Sequence, residues 1–252
     1  MALKFLQTPQ GERLAYKQNQ GAASAPTVIW CGGLKSDMEG SKALHLHSWA
    51  RRRDVNYIRF DYFGHGLSSG AFTQGTLSRW AADVSLMIDR FAAGKIVLVG
   101  SSMGGWASLL AAAEKSAAPN VSGLVLINPA PDFTEKLTYA GWDEATRAKL
   151  ETDRIVYEPS GYEEPYAYSK ALIEDGRARQ ILDAPIDFGG PVEILQGEED
   201  AVVPWEYSRR IMSALTSEQV RYTLVKGGDH SLSRETDLAL LTNTVERLLT
   251  VL

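Results

Sequence analysis

A serine between two glycines lies where an apolar run meets an alanine-rich segment. Residues 95–104 read KIVLVGSSMG, and WASLLAAAEK follows from residue 106. This is the pattern G-x-S-x-G at a turn from strand to helix, and its register makes Ser102, not Ser101, the central serine. Such a turn lifts the hydroxyl above a sheet, and the following helix directs N–H groups toward a developing oxyanion. Ser102 is therefore the candidate nucleophile.

A serine hydroxyl is a weak nucleophile unless a base takes its proton and an anion orients that base. The chain has four histidines. His230, in KGGDHSLS between the last apolar run and the final helical segment, is the predicted base, and His65 is the alternative. His45 and His47 lie two residues apart on a predicted helix and face different sides, which argues against a shared metal site. Asp229 is expected to serve the loop backbone or solvent.

The orienting acid is predicted to be Asp200. It lies in QGEEDAVVPW, directly after the apolar run VEILQG. The chain order Ser102, Asp200, His230 is the order that accompanies G-x-S-x-G in a strand-turn-helix setting. Glu198 and Glu199 remain as neighbouring alternatives, although Asp200 lies farther out on the loop.

An oxyanion hole needs two backbone N–H donors near the nucleophile. The first is predicted to be Met103, the residue after the serine. The second is predicted to be Gly33, with Leu34 as runner-up, in the loop that follows the run TVIWCG at 27–32. Losing one such donor lowers turnover by ~10²–10³. Cys31 ends an apolar run without a base beside it in sequence, and we expect a packed thiol there.

Other chemistries lack their signatures. The chain contains no GxxxxGK[ST], GxGxxG or HExxH pattern, and its single cysteine excludes both a CxxC site and an intrachain disulfide. We therefore expect neither a metal nor an organic cofactor. Asp61, in the glycine-rich RFDYFGHGLSSG, is expected to hold a tight loop.

The charge balance and the hydropathy indicate which kinds of partner and which cellular location to expect. A net charge of −5 with a pI near 5.5 does not suit a nucleic-acid binder. The cluster Arg51, Arg52, Arg53 is expected to be a solvated helix end. No window approaches the ~20 apolar residues of a membrane span, and no signal-peptide pattern opens the sequence. Together with the single cysteine, which suits a reducing compartment, these features predict a cytoplasmic protein.

The pattern of apolar runs predicts the elements that position these residues. Short, largely unalternating runs typical of buried parallel strands occur at 27–32, 56–61, 95–100, 123–128, 192–197 and 221–226. Helical spacing occupies 40–53, 76–91, 102–116, 203–216 and 234–252. This alternation predicts a doubly wound, mostly parallel α/β sheet in a single domain, 1–252. Segments 3–6 and 13–18 are expected to add an antiparallel edge hairpin.

The alternation is interrupted at 130–190, before the strand that leads to Asp200. This insertion predicts a small helical cap. Eight aromatic residues fall within about a quarter of the chain, as expected of a cap whose underside lines an apolar pocket or of rings that attach it to the main domain. They are Phe133, Tyr139, Trp142, Tyr157, Tyr162, Tyr166, Tyr168 and Phe188.

The whole chain resembles the α/β-hydrolase superfamily. Four segments are similar to the mitochondrial palmitoyl-protein thioesterase and acyl-glucuronide esterase group: GGLKSDMEGSKA, RFDYFGHGLSSG, VGSSMGGW and EEDAVVPW. The resemblance implies the α/β-hydrolase fold and a triad of Ser102, Asp200 and His230. It also implies S-acylated proteins or acyl glucuronides as substrate classes.

The expected function is therefore serine hydrolysis of a carboxylic ester or thioester with an apolar acyl group, on a small-molecule or acylated substrate. Two alternatives remain open at this point. The same triad could serve acyltransfer, perhydrolysis or carbon–carbon bond hydrolysis, or the fold could act as a non-catalytic ligand receptor.

Overall fold

The computed structural model describes residues 2–91, 94–114, 120–160 and 164–252. The described strands are β1 (Lys4–Gln7), β2 (Arg13–Asn19), β3 (Thr27–Cys31), β4 (Asn56–Phe60), β5 (Ile96–Ser101), β6 (Val121–Ile127), β7 (Ile155–Glu158), β8 (Tyr166–Ser169), β9 (Val192–Gly197) and β10 (Val220–Val225). The described helices are α1 (Ser41–Arg53), α2 (Leu77–Arg90), α3 (Met103–Ala113), α4 (Glu144–Asp153), α5 (Lys170–Ala178), α6 (Trp205–Ser208), α7 (Arg210–Ala214) and α8 (Glu235–Val251).

Eight strands form one sheet in the order β1-β2-β4-β3-β5-β6-β9-β10. Strands β3, β4, β5, β6, β9 and β10 pair in parallel, and β2 runs antiparallel to both β1 and β4. The doubly wound, mostly parallel sheet and its edge hairpin are thus confirmed. Strand β3 lies between β4 and β5, so the order reverses there, and ligands of open α/β sheets bind at the carboxyl ends beside such a reversal.

The uninterrupted apolar runs reflect helices on both faces of the sheet. Alternate residues of one strand enter different cores: Ile29 and Leu98 pack on the face covered by α2 and α3, whereas Val28 and Val97 pack on the face covered by α1 and α8. Every residue of β5 is buried. Both side-chain directions are therefore apolar, which removes the alternation that marks a half-exposed strand.

The insertion between β6 and β9 contains more than helices. A π-helical turn at Thr134–Tyr139, α4 and α5 accompany an antiparallel hairpin of β7 and β8. The helical part agrees with the sequence pattern. The hairpin was not predicted, because its two strands are only four residues long each. Between β9 and β10, the helix expected at 203–216 is divided into α6 and α7. The end of the helix expected at 102–116 lies outside the described residues, as does Tyr162.

Helix α5 packs closely on the π-helical turn. A Cβ added to Gly176 of α5 would overlap the side chain of Thr134, which is fully buried. Nearby, the buried carboxylate of Asp132 accepts the backbone N–H groups of Ile181 (2.8 Å) and Leu182 (3.0 Å). These contacts attach the second half of the insertion to the segment that leaves β6. Among the described residues, no helix is long and apolar enough to cross a membrane.

Replacing Gly176 by alanine is expected to lower the free energy of unfolding by about 1–3 kcal/mol, because overpacking outweighs the better helix propensity of alanine. The matched control is Gly141→Ala in the same insertion, where an added Cβ meets no atom within 4 Å. Urea denaturation of both variants measures the difference. Equal stabilities for the two variants would contradict the close packing of α5.

Candidate active site

Ser102 lies in a strained turn between β5 and α3. Its φ is +53° and its ψ is −119°, a conformation that non-glycine residues rarely adopt. Three backbone hydrogen bonds hold it: its N–H donates to Ile127 O (2.9 Å), and its carbonyl accepts from Gly105 N (2.9 Å) and Ala130 N (3.1 Å). The strain is therefore maintained by β6 and by the segment that follows it.

Close backbone contacts explain the glycines around Ser102. A Cβ on Gly104 would overlap the carbonyl oxygen of Cys31, and one on Gly100 would lie 2.6 Å from Gly104 O. A Cβ on Gly105 would lie 2.9 Å from Pro129 Cβ. Helix α3 consequently begins directly against β3 and β5, which fixes the height of the Ser102 hydroxyl above the sheet.

A continuous hydrogen-bond chain joins the three predicted site residues. His230 Nε2 lies 3.1 Å from Ser102 Oγ, and His230 Nδ1 lies 2.8 Å from Asp200 Oδ2. A carboxylate can only accept, so Nδ1 carries the proton and Nε2 of the neutral ring is left as the acceptor for the serine hydroxyl. The tautomer that a general base needs is thus set by Asp200.

The loop after β9 surrounds the Asp200 carboxylate with donors. Its Oδ1 accepts the N–H groups of Val202 (2.9 Å) and Val203 (2.8 Å), and its Oδ2 accepts Gln196 Nε2 (3.3 Å) beside His230. The side chain is completely buried. The Gln196 bond has no counterpart in the sequence prediction, because glutamine in a buried strand gives no catalytic signal.

The two glutamates that precede Asp200 take other positions. Glu198 Oε2 accepts the N–H of Gly227 (3.2 Å), and Glu199 lies at the wall of the cavity described below. Of the three acids in this loop, Asp200 is therefore the one whose carboxylate is bonded to His230.

The two predicted oxyanion donors are both close to Ser102. Met103 is the first residue of α3, so its N–H belongs to the first turn, whose donors have no intrahelical acceptor. Gly33 is also near the serine, since a Cβ added there would be 3.5 Å from Ser102 Cβ. Leu34 also lines the cavity next to Gly33. Both residues of this loop are close enough to remain candidates for the second donor.

His65, the alternative base, instead bonds to the loop that carries Gly33. Its Nε2 accepts the N–H of Lys35 (3.0 Å), and its Nδ1 donates to Phe63 O (3.1 Å). Burial lowers the pKa of His65 to about 4, so the ring is neutral near pH 7. It therefore acts as a fixed acceptor beneath the loop that carries Gly33, a role that the sequence did not indicate.

The other singled-out side chains have structural roles. Asp61 accepts the N–H groups of Met38 (2.7 Å) and Leu67 (2.8 Å), which confirms its expected loop function. Asp229 likewise accepts two backbone N–H groups of its own loop. Burial raises the pKa of the Cys31 thiol to about 12, as expected of a packed, unreactive cysteine. The described residues contain no cluster of three or more potential metal ligands.

A cavity of about 680 Å³ opens above Ser102 and His230. Apolar side chains of the insertion and of the acid loop form one part of its wall: Phe133, Leu137, Tyr166, Tyr168, Val202 and Val203. Phe133 also packs against Trp106 of α3, with 5.8 Å between the ring centroids, and so attaches the insertion to the main domain. Trp142 packs within the insertion, against Tyr139 and Tyr168 at 5.7 and 5.9 Å between ring centroids. Tyr157 is exposed. Both expected uses of the aromatic residues are thus present.

The polar part of the wall includes Lys42 of α1. Its ammonium donates to the carbonyl of Ser231, next to His230. Burial lowers the pKa of Lys42 to about 8, although the nearby carboxylates of Asp229 and Asp237 oppose this effect. Sequence reasoning missed this residue, because α1 and the histidine loop are far apart along the chain.

The chain is similar to known α/β hydrolases in sequence and in structure. The alpha/beta hydrolase family profile matches residues 31–241. The human protein named palmitoyl-protein thioesterase ABHD10, mitochondrial, is 32% identical over 250 aligned residues, and the match covers 98% of this chain and 80% of that protein.

Two solved structures are similar over nearly their whole lengths. A putative hydrolase from Agrobacterium vitis S4 has 39% identity and a TM-score of 0.93, covering 99% of this chain and 100% of that chain. Alpha/beta hydrolase domain-containing protein 10 from mouse has 31% identity and a TM-score of 0.89, covering 99% of both chains.

The buried His65 predicts a specific pH dependence of stability. Its folded pKa lies below the unfolded value of 6.5, so the unfolded chain binds more protons between about pH 4 and 6.5. The stabilisation is complete above this window and is lost as the pH falls through it. We expect the stability advantage of wild type over His65→Gln to decrease by about 2–3 kcal/mol from pH 7.5 to 4.5.

Denaturation with urea at several pH values measures this difference. Asp83, whose pKa burial raises to about 7, titrates in the opposite sense but is present in both proteins and cancels. Parallel stability curves for wild type and the variant would show that His65 is not held neutral by the fold.

Proposed function

The chain belongs to the alpha/beta hydrolase family, and we propose that this hydrolase cleaves carboxylic esters or thioesters of apolar acyl groups through an acyl-enzyme on Ser102. The hydrogen-bond chain from Ser102 through His230 to Asp200, at the base of a partly apolar cavity, supports this proposal most directly. Each group has the bonding role that nucleophile, base and orienting acid require.

In the first step, His230 Nε2 takes the hydroxyl proton while Ser102 Oγ attacks the substrate carbonyl carbon. The carbonyl oxygen becomes an oxyanion, and the N–H groups of Met103 and Gly33 stabilise it. Asp200 stabilises the imidazolium that forms. His230 then gives the proton to the leaving alcohol or thiol as its bond to the acyl carbon breaks.

In the second step, water replaces the leaving group. His230 takes a proton from the water as its oxygen attacks the acyl carbon, and the same donors stabilise the second oxyanion. His230 returns the proton to Ser102 Oγ, and the carboxylic acid leaves. Neither step calls for a metal or an organic cofactor.

The relatives favour the thioester branch of this proposal, since the human and bovine proteins carry the name palmitoyl-protein thioesterase. The apolar wall formed by Phe133, Leu137, Tyr166 and Tyr168 suits an acyl chain. Those relatives are also named mitochondrial, so they do not support the cytoplasmic location expected from the sequence.

A fluorophosphonate probe tests the nucleophile. We expect a single covalent adduct on Ser102 in wild type and none in Ser102→Ala, because only a serine activated by an adjacent base attacks the probe rapidly. Intact mass and peptide mapping give the readout. The control is Ser122→Ala near the start of β6, where the hydroxyl bonds to Asn120 O. An adduct elsewhere, or none on folded wild type, would count against the mechanism.

A larger side chain in the apolar wall would narrow the cavity and should change which acyl-chain lengths the enzyme prefers. Leu137→Trp adds volume on the cavity side of the π-helical turn, so we expect kcat/KM for long-chain esters and thioesters to fall at least tenfold while acetyl esters change little. A matched series of p-nitrophenyl esters and acyl thioesters, from two to sixteen carbons, measures both the length profile and the ester-to-thioester ratio. A uniform loss at all lengths would argue against acyl binding beneath the insertion.

A further inference from the structure

Asn128, directly after β6, is a buried polar residue that the mechanism does not use. It is completely buried, and its φ is +43°. Its side-chain Nδ2 donates to Asp229 O (3.0 Å) and His230 O (2.7 Å), and its Oδ1 accepts the N–H of Gly197 (2.8 Å). One amide thus uses both its donors and its acceptor to join two loops of the site.

These bonds connect the end of β9 with the histidine loop. The connection is close, because a Cβ added to Gly197 would lie 2.6 Å from Asp229 O and would overlap Gly228 O. Gly197 is only three residues before Asp200. Asn128 therefore fixes the backbone of His230 relative to the strand that delivers its carboxylate partner, from a third element of the fold.

We propose that Asn128 is a positioning residue for the proposed hydrolysis, and that it holds the His230 ring at hydrogen-bond distance from both Ser102 and Asp200. The proposal rests on the function assigned above. The amide is required because two carbonyl oxygens converge on its Nδ2, and only a group with two donors satisfies both. An isosteric carboxylate would direct an anionic oxygen at them.

The surroundings of His230 show why this residue has a separate role. Asp200 contacts the ring, and Asp229 accepts the N–H groups of the two residues that follow His230. Lys42 donates to Ser231 O. These contacts act on the ring or on the residues that follow. Asn128 alone among the described side chains bonds to the carbonyl of His230 itself.

Asn128→Asp tests the proposal, because asparagine and aspartate share shape and tolerance of positive φ. We expect kcat to fall by about 10²-fold with little change in KM, as for a catalytic group displaced by about 1 Å. The new carboxylate also favours the imidazolium form of His230. The acidic limb of the pH profile of kcat/KM should therefore move to higher pH. Asn128→Ser, which keeps one donor and adds no charge, should show a smaller kcat loss without that movement.

Asn56→Asp is the matched control. Asn56 has the same bonding pattern at the opposite end of the sheet: its Nδ2 donates to Ala22 O and Ala25 O, and its Oδ1 accepts the N–H of Gly21. We expect a loss of stability in this variant with kcat and pH profile unchanged. Equal kcat losses in the two aspartate variants, or an unchanged kcat in folded Asn128→Asp and Asn128→Ser, would overturn the proposal.

A second measurement separates this proposal from the proposed function. The His230 Nδ1 proton, shared with Asp200, gives a downfield ¹H NMR resonance whether or not an ester is turned over. We expect this resonance in wild type and Asn56→Asp, and its shift or loss in Asn128→Ser. An unchanged resonance in Asn128→Ser would refute the positioning role, whereas an inactive wild type that retains the resonance would refute only the proposed function.

Discussion

The contact of α3 with β3 and β5 is the constraint on which the site depends. Only Ser102 separates the end of β5 from the start of the helix, and Gly100 and Gly104 allow the backbones to touch. A larger side chain at either position would push the helix away and release the strained turn at Ser102. The same contact brings the first donors of α3 beside the loop after β3. The proposed nucleophile and the proposed oxyanion donors therefore depend on the same packing interaction.

A second constraint is the cost of burying a carboxylate. Asp200 is fully buried, and its oxygens accept the backbone N–H groups of Val202 and Val203. They also accept bonds from the side chains of Gln196 and His230. Such saturation offsets the loss of hydration, whereas removal of one partner would leave a buried charge poorly compensated. The fixed carboxylate in turn sets the histidine tautomer. The electrostatics of the site are therefore built into the loop after β9 before any substrate binds.

Lys35 connects the loop that carries Gly33 with the insertion. Its backbone N–H donates to His65, while its ammonium contacts Glu164 Oε2 (2.9 Å) and Pro165 O (3.0 Å) before β8. Glu164 is largely exposed, so this ion pair contributes little stability by itself. Its geometric effect is to tie the loop of Gly33 to the segment that carries Tyr166 into the cavity wall.

The sequence was informative wherever chemistry is local. Ser102 follows from a motif within ten residues, and Asp200 and His230 follow from their places just after apolar runs. Asn128 and Gln196 could not be found this way, because an amide after or within a buried strand has the same sequence signature whether it is structural or functional. The positions of His65 and Lys42 depend on contacts between segments about 30 and 190 residues apart. The hairpin of β7 and β8 was missed because its strands are too short for a reliable periodicity.

The most direct test of the central claim is rapid acid quenching of the enzyme during turnover of a p-nitrophenyl acyl ester, followed by intact mass and peptide mapping. We expect a burst of p-nitrophenol and an acyl group of the substrate's mass on the peptide that contains Ser102. Turnover by the wild-type enzyme with no acylated intermediate, together with full activity in Asp200→Ala, would contradict it.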